Sequence, residues 1–237
     1  MNTQNTLITV ALSLWFSTQA LAEISANAAI VNDYLVDGIS QTDNAAAVQG
    51  GVDWSAESGF YLGAWGSMVD FNAESEYETD WYGGYRFGSG ENTAFDVGIA
   101  YYRYLEDDLG KSSDGFDFRE IYAGVTLYEN STLKYWRSND YVGTGEPSSR
   151  AKLSHNIALN DDYSVMLEYT RAMYQGAIGE NYNHYRVGVV RYWGIFSVDL
   201  SYHKTDANFD LWALRDDDAV SANGNWILTL SALFGDE

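Results

Sequence analysis

The chain has 237 residues, of which 46% are hydrophobic and 16% aromatic, and it carries a formal net charge of −21 with no cysteine. The lack of cysteine excludes a disulfide framework, a thiol nucleophile and a cysteine-based metal site. So acidic a chain repels phosphate backbones, which argues against nucleic acid as a partner, while its hydrophobic content is too high for a disordered protein.

The first 22 residues are typical of a secretory signal peptide. The apolar run from Leu7 to Phe16 is too short to cross a bilayer as a helix, and Ala20-Leu21-Ala22 is a small-x-small cleavage site. One departure is the lack of Lys or Arg before the apolar run, and a buried N-terminal helix is the alternative. We predict a cleaved signal peptide at residues 1–22 and one exported domain at residues 23–237.

From residue 24 onward, apolar and polar residues alternate along the chain. In residues 76–87, for example, Trp81 and Phe87 fall on one face, and Glu78 and Asp80 fall on the other. The aromatic residues are interpreted as lipid-facing or girdle residues, and the glycines as positions that ease strand curvature. The same alternation predicts twelve strands, at residues 24–36, 45–55, 59–71, 76–87, 93–105, 116–128, 131–140, 149–159, 162–174, 181–193, 195–205 and 223–234.

The connections between the predicted strands alternate in length. The short ones are residues 56–59, 88–92, 128–131, 159–162 and Trp193-Gly194. The long ones are residues 37–44, 106–115, 141–148, 175–181 and 205–224, and the connection at residues 72–75 fits the alternation least well. Short turns at one end and long loops at the other are typical of outer-membrane barrels, whereas a sandwich has no reason to separate loops by length. The sequence therefore predicts an all-β fold, a single antiparallel transmembrane β-barrel of about 12 strands with short periplasmic turns and longer extracellular loops.

Three stretches near the start of the mature chain carry a family resemblance: NDYLVDGISQTDNAAAVQGGVDW, ESGFYLGAWGSMVDF and ETDWYGGYRF. They resemble the TorF family of porins of proteobacterial outer membranes, whose members have a similar SDY…RG-SQ…QGG-D…SGFY-G-W-S-VDF signature. The match is specific over residues 32–87 and is limited to strand rhythm after that. Asp37 stands where a basic residue is expected, and Ala46-Ala47 where proline is common. The resemblance implies a location in the cell outer membrane and a barrel architecture more firmly than it implies a substrate.

None of the three histidines shows the spacing of a catalytic site. His155, His184 and His203 lack the His-x-Ser spacing that would place both groups on one strand face, as a barrel phospholipase requires. The carboxylate runs at residues 106–108 and 216–218 are consecutive and lack the alternating ligand spacing of a Ca²⁺ or Mg²⁺ site. We interpret them as solvated acidic loops, and we predict no catalytic residue, no metal site and no cofactor.

The polar faces of the strands define the predicted lumen. Its acidic members are Glu78, Asp80, Asp96, Glu120, Glu168 and Asp199, and its basic members are Arg86, Lys134, Lys152 and Arg186. The excess of acids gives a mildly negative lumen, which favours small cations or zwitterions over anions. Most of the remaining acids fall on the long loops, so the outer mouth is also expected to be negative.

Together these features predict a porin-like outer-membrane channel for passive diffusion of small hydrophilic solutes or ions, with a mild preference for cations, rather than an enzyme. Its expected partners are outer-membrane lipid, lipopolysaccharide and the permeating solute, and its oligomeric state is left open. Two alternatives stay open: a plugged, non-conducting structural barrel closed by crossed salt bridges, and a soluble periplasmic lipocalin-like binding protein.

Overall fold

The computed structural model describes residues 22–70, 76–89, 92–105, 116–207 and 224–235. Residues 1–21 of the predicted signal peptide and the acidic runs at 106–108 and 216–218 lie outside these ranges. Among the described residues, no helix is both long and apolar enough to cross a membrane.

Nearly all regular structure in the described ranges is β-strand. In chain order the strands are β1 (Glu23–Val31), β2 (Leu35–Val36), β3 (Ile39–Ser40), β4 (Ala47–Ser55), β5 (Phe60–Met68), β6 (Tyr77–Gly88), β7 (Thr93–Leu105), β8 (Phe118–Leu127), β9 (Ser131–Ser138), β10 (Ser148–Ala158), β11 (Tyr163–Met173), β12 (Asn181–Trp193), β13 (Phe196–Thr205) and β14 (Asn225–Gly235). A short helix, α1 (Gln175–Ile178), lies between β11 and β12. Strands β1 and β4 to β14 form one closed barrel of twelve antiparallel strands, while β2 and β3 pair only with each other. The predicted fold class is confirmed.

The barrel closes through its first strand. Ala28 of β1 lies opposite Ala232 of β14 on one side and opposite Gly50 of β4 on the other. Every barrel strand therefore has two hydrogen-bonded neighbours, so no strand edge is left to aggregate or to meet lipid unpaired.

The outer face of the barrel is apolar and the inner face is polar, the reverse of a soluble protein. Trp81, Leu62 and Ile121 point outward with 59, 61 and 61% of their surface exposed, whereas Glu78 and Glu120 point inward with 2 and 1% exposed. In water such an exterior would be one large exposed apolar patch, but in a bilayer it faces lipid. The architecture is that of an outer-membrane barrel, and it gives no support to the lipocalin-like alternative.

The two ends of the barrel differ in the length of their connections. At one end, four residues or fewer join β4 to β5, β8 to β9, β10 to β11 and β12 to β13. At the other end, residues 32–46 join β1 to β4, and residues 206–224 join β13 to β14. Strand β1 begins and β14 finishes at the short-turn end, which is the arrangement predicted for the periplasmic side.

Residues 32–46, which we call the inner loop, fold into the barrel instead of extending from it. The sequence predicted a strand at 24–36 followed by a loop at 37–44, but β1 ends at Val31 and the chain then turns inward to form the β2–β3 hairpin. The alternation of residue types could not show this, because a polar loop has the same composition whether it meets water or a polar barrel interior.

Candidate channel lumen

The inner loop is held together by its own hydrogen bonds. The Ser40 hydroxyl donates to the Asp33 carboxylate at 2.6 Å, and the Thr42 hydroxyl lies 3.2 Å from the same oxygen. Ser40 Oγ in turn accepts a hydrogen bond from the Asn44 amide at 2.9 Å. Burial raises the pKa of Asp33 above its ordinary value, against the opposing effect of the two hydroxyls. These bonds make the loop a defined unit rather than a pliable connection.

Asp37 and Gly38 form the tip of the inner loop, between β2 and β3. Their φ angles are positive, 49° and 87°, as in the two-residue hairpin turns that Asp-Gly favours. A Cβ atom at Gly38 would lie only 2.7 Å from Cδ2 of His184 on the barrel wall. Glycine therefore allows the tip both to turn and to touch β12.

The Asp37 carboxylate forms ion pairs with two basic residues of β10. Its oxygens lie 3.4 Å from Arg150 Nε and 3.4 Å from Lys152 Nζ, and the Tyr174 hydroxyl donates to it at 3.2 Å. Burial favours the neutral acid, but the charges of Lys152 and Arg150 outweigh this effect and lower the pKa of Asp37. Charge thus anchors the inner loop to a strand across the barrel.

Arg150 joins this anchor to the neighbouring wall. Its guanidinium also pairs with Glu120 of β8 at 2.7 Å, and it lies 4.7 Å from the centroid of the Trp136 ring. The sequence prediction of the lumen omitted both Arg150 and Asp37. Arg150 could have been found, because it precedes Lys152 by two residues and therefore shares its face.

A second cluster surrounds Asp96 of β7, nearer the short-turn end. Lys134 and the Tyr61 hydroxyl donate to its carboxylate at 3.0 and 2.6 Å, and Tyr61 also shares a hydrogen bond of 2.6 Å with Tyr122. A Cβ atom at Gly98 would overlap Tyr122, so this glycine makes room for the ring. The assignment of aromatic residues to lipid-facing and girdle positions is wrong for these tyrosines, which cross the lumen because their hydroxyls find polar partners there.

A third cluster joins β11, β12 and β13. Arg186 forms ion pairs with Glu168, at 3.2 Å, and with Asp199. Beside it, His184 Nε2 lies 3.0 Å from Nδ1 of His203, and both histidines are buried in the barrel interior. The lumen is therefore crosslinked between strands by charges at several heights.

The remaining histidine lies on the outer face. His155 Nδ1 is 2.8 Å from the hydroxyl of Ser131, its partner on the adjacent strand. A search along single strands does not detect such a cross-strand pair. Among the described residues no carboxylate is hydrogen-bonded to His155, so the pair lacks the third group that orients a catalytic base.

All ten charged residues that the sequence assigned to the lumen lie on the inner face of the barrel. Seven of them form the ion pairs described above. Of the other three, Arg86 lies 4.1 Å from the centroid of the Tyr61 ring, and Glu78 accepts a hydrogen bond from Tyr104 at 3.1 Å. Asp80 follows Glu78 on the same face of β6.

A cavity of about 190 Å³ lies beside the inner loop at the long-loop end. Aromatic and aliphatic side chains form most of its lining, including Val36, Ile39, Tyr104, Phe116, Tyr141 and Tyr182. In the part of this end that the structure describes, the space beside the inner loop is therefore lined largely by aromatic side chains.

Comparisons with known proteins agree with this architecture. The model of a family described as "Bacterial protein of unknown function (Gcw_chp)" matches residues 17–234, and a comparison with curated proteins finds no match. Among solved structures, the chain is similar to the KdgM porin, with 9% identity and a TM-score of 0.59, over 90% of this chain and 99% of that one. A structure of the KdgM porin in complex with disordered oligogalacturonate gives 8% identity and a TM-score of 0.57, over 91 and 99% of the two chains. At such identities the likeness concerns the fold.

Proposed function

We propose that this chain, which belongs to the Gcw_chp family of bacterial proteins, is a narrow outer-membrane channel for small hydrophilic solutes or ions, with a preference for cations. The observation that carries the proposal is the polar lumen inside a closed barrel with an apolar exterior. The resemblance of residues 32–87 to TorF-type porins supports the same function.

The preference for cations follows from the charge of the lumen. To the predicted six acids and four bases the structure adds Asp37, Arg150 and Asp53, whose carboxylate accepts a hydrogen bond from Tyr82 at 2.6 Å. The lumen then holds at least eight acids against five bases, so its charge stays negative and favours cations. For the same reason, the anionic oligogalacturonate of the KdgM complex is not a good guide to the solute of this channel.

A closed structural barrel is the second candidate, and a specific observation favours it. The side chains of Asp37 and Glu120 in the central ion pairs are 2 and 0% exposed, so water is largely excluded where the inner loop meets β10. If the inner loop keeps this position, it obstructs the lumen at that height.

Single-channel recording separates the two candidates. The mature protein, residues 23–237, is refolded and inserted into planar bilayers under a gradient of KCl. Discrete conductance steps, with a reversal potential of the sign expected for selectivity for K⁺ over Cl⁻, support the channel. A protein that is folded, as judged by its faster migration on unboiled gels, but shows no steps at any voltage is instead the structural barrel.

A further inference from the structure

Two carboxylates that lie next to each other in the lumen have no basic partner among the described residues. Glu78 and Asp80 lie two residues apart on the inner face of β6, and their carboxyl groups are within hydrogen-bonding reach of each other. By contrast, Asp96 is paired with Lys134, and Glu168 with Arg186. Within the described residues, neither Glu78 nor Asp80 forms an ion pair.

Both carboxylates also have a buried oxygen without a hydrogen-bond partner. Glu78 is 2% exposed, and its Oε2 atom and the Oδ1 atom of Asp80 have no partner among the described residues. Arg150, whose charge acts on both carboxyl groups, is already engaged by Glu120 and Asp37. An uncompensated pair of buried carboxylates is costly, so this site calls for a positively charged ligand.

Two tyrosine hydroxyls lie beside these carboxylates. The Tyr104 hydroxyl lies 3.1 Å from Glu78 Oε1, and the Tyr34 hydroxyl of the inner loop approaches the same carboxylate. Carboxylate and water oxygens are hard ligands that suit Ca²⁺ or Mg²⁺. A divalent ion balances two carboxylates, whereas a single proton leaves one negative charge. Ca²⁺ tolerates irregular coordination better than Mg²⁺.

We propose that Glu78 and Asp80 bind one divalent cation of the Ca²⁺ class in the lumen, beside the inner loop. The proposal deepens the proposed function, on which it rests, by giving the cation preference a discrete site. Among the described residues no group of three or more His, Asp or Glu side chains has metal-binding geometry, so the proposed site has two carboxylate ligands and needs further oxygen ligands to reach the six to eight that Ca²⁺ takes.

Terbium luminescence tests the site directly. Tb³⁺ occupies Ca²⁺ sites with oxygen ligands, and it emits when nearby tyrosines transfer energy to it, as Tyr34 and Tyr104 would. Refolded mature protein in detergent is titrated with Tb³⁺ at neutral pH, and the ion is then displaced with Ca²⁺ or Mg²⁺. We expect sensitised emission that Ca²⁺ displaces at lower concentration than Mg²⁺.

Conservative substitutions locate the binding. Glu78→Gln and Asp80→Asn should each weaken Ca²⁺ binding by about tenfold or more, since affinity depends on the number of charged ligands. Asp96→Asn removes the same charge from the lumen away from the site and should change binding by less than about twofold. No sensitised emission from the wild type, or an equal loss in Asp96→Asn, would overturn the proposal.

The proposal of a divalent-cation site and the proposal of a channel can each fail without the other. Each variant is first checked for the gel mobility of a folded barrel, and if one of the two site variants does not fold, the other decides. A channel that conducts in EDTA and binds no divalent ion rejects the site while keeping the channel. A barrel that binds Ca²⁺ but never conducts keeps the site and rejects the channel.

Discussion

The Asp37 carboxylate of the inner loop and the Arg150 guanidinium of β10 form an ion pair across the barrel, with 3.4 Å between Oδ2 and Nε. Their side chains are 2 and 11% exposed, so solvent and salt screen the pair weakly. Strand β10 lies across the barrel from β1 and β4, between which the inner loop runs. This pair, together with Lys152, therefore holds the inner loop across the bore as the constriction of the proposed channel.

Removing the charge of Asp37 should loosen the constriction. In Asp37→Asn, Arg150 and Lys152 lose their shared partner, and we expect a larger or more fluctuating single-channel conductance than in the wild type. Asp43→Asn is the matched control, because Asp43 is an exposed acid of the same loop. Equal conductance in the wild type and both variants would show that the inner loop does not limit flow.

The anchor should also respond to strong acid. The pKa of Asp37 is lowered from its ordinary value of 3.8, so its stabilising effect is fully present above that value and is lost as pH falls through the lower folded pKa. The raised pKa of Asp33 has the opposite effect on the stability of the folded loop, because protonation of Asp33 on acidification favours the folded state.

Between neutral pH and strong acid we therefore expect the conductance of the wild type to rise only below pH 3.8, as the pH falls through the lowered folded pKa of Asp37. Recordings of the wild type and Asp37→Asn over the same pH range measure this. A rise of equal size in the variant would assign the acid response to other groups of the lumen.

Arg150 should be one of the most important residues for stability. Arg150→Met leaves Glu120 buried without its basic partner and Asp37 with Lys152 alone, and removing one partner of a buried pair costs about 3–5 kcal/mol. Adding Glu120→Gln to Arg150→Met should recover part of that loss. The free energy of unfolding is measured by reversible urea titration in lipid vesicles, with exposed Arg137→Met as the control. A small effect of Arg150→Met, similar to that of Arg137→Met, would contradict this prediction.

The inward and outward faces should differ in their tolerance of charge. Val198 alternates with inward-facing Ser197 on β13 and lies opposite Leu230 of β14. Arg at a lipid-facing position near the bilayer midplane costs about 2–4 kcal/mol, so Val198→Arg should be more destabilising than Ser197→Arg in the same refolding assay. Gly98 is unsuitable as a lumen control, because any side chain there would overlap Tyr122. Equal costs at Val198 and Ser197 would show that the assigned faces are wrong.

The sequence predicted the barrel well because its strands obey a local rule. Alternation such as that of Ser197 and Val198 appears directly in the chain, and the lengths of the turns give the orientation of neighbouring strands. The position of the inner loop depends instead on the meeting of Asp37 with Arg150 and Lys152, which are distant in sequence. Such a meeting leaves no periodic signal. Tyr122, by contrast, lies two residues after Glu120 and therefore shares its inward face by alternation, and only its hydrogen bond to Tyr61 of β5 depends on a distant strand.

The selectivity of the proposed channel should depend on salt in two different ways. The acidic run Asp216-Asp217-Asp218 lies outside the described residues, and its assignment to the outer mouth rests on the sequence. Exposed charges act over about 10 Å at 0.1 M salt but only about 3 Å at 1 M, whereas an acid inside the lumen acts on a passing ion at close range. Replacing all three aspartates by Asn should therefore reduce cation preference in dilute salt and leave it nearly unchanged at 1 M.

Glu168→Gln, which leaves Arg186 with Asp199 as its one acidic partner among the described ion pairs, should reduce cation preference at both concentrations. Reversal potentials under a KCl gradient measure both effects, and an anion-selective wild type would reject the charge argument as a whole.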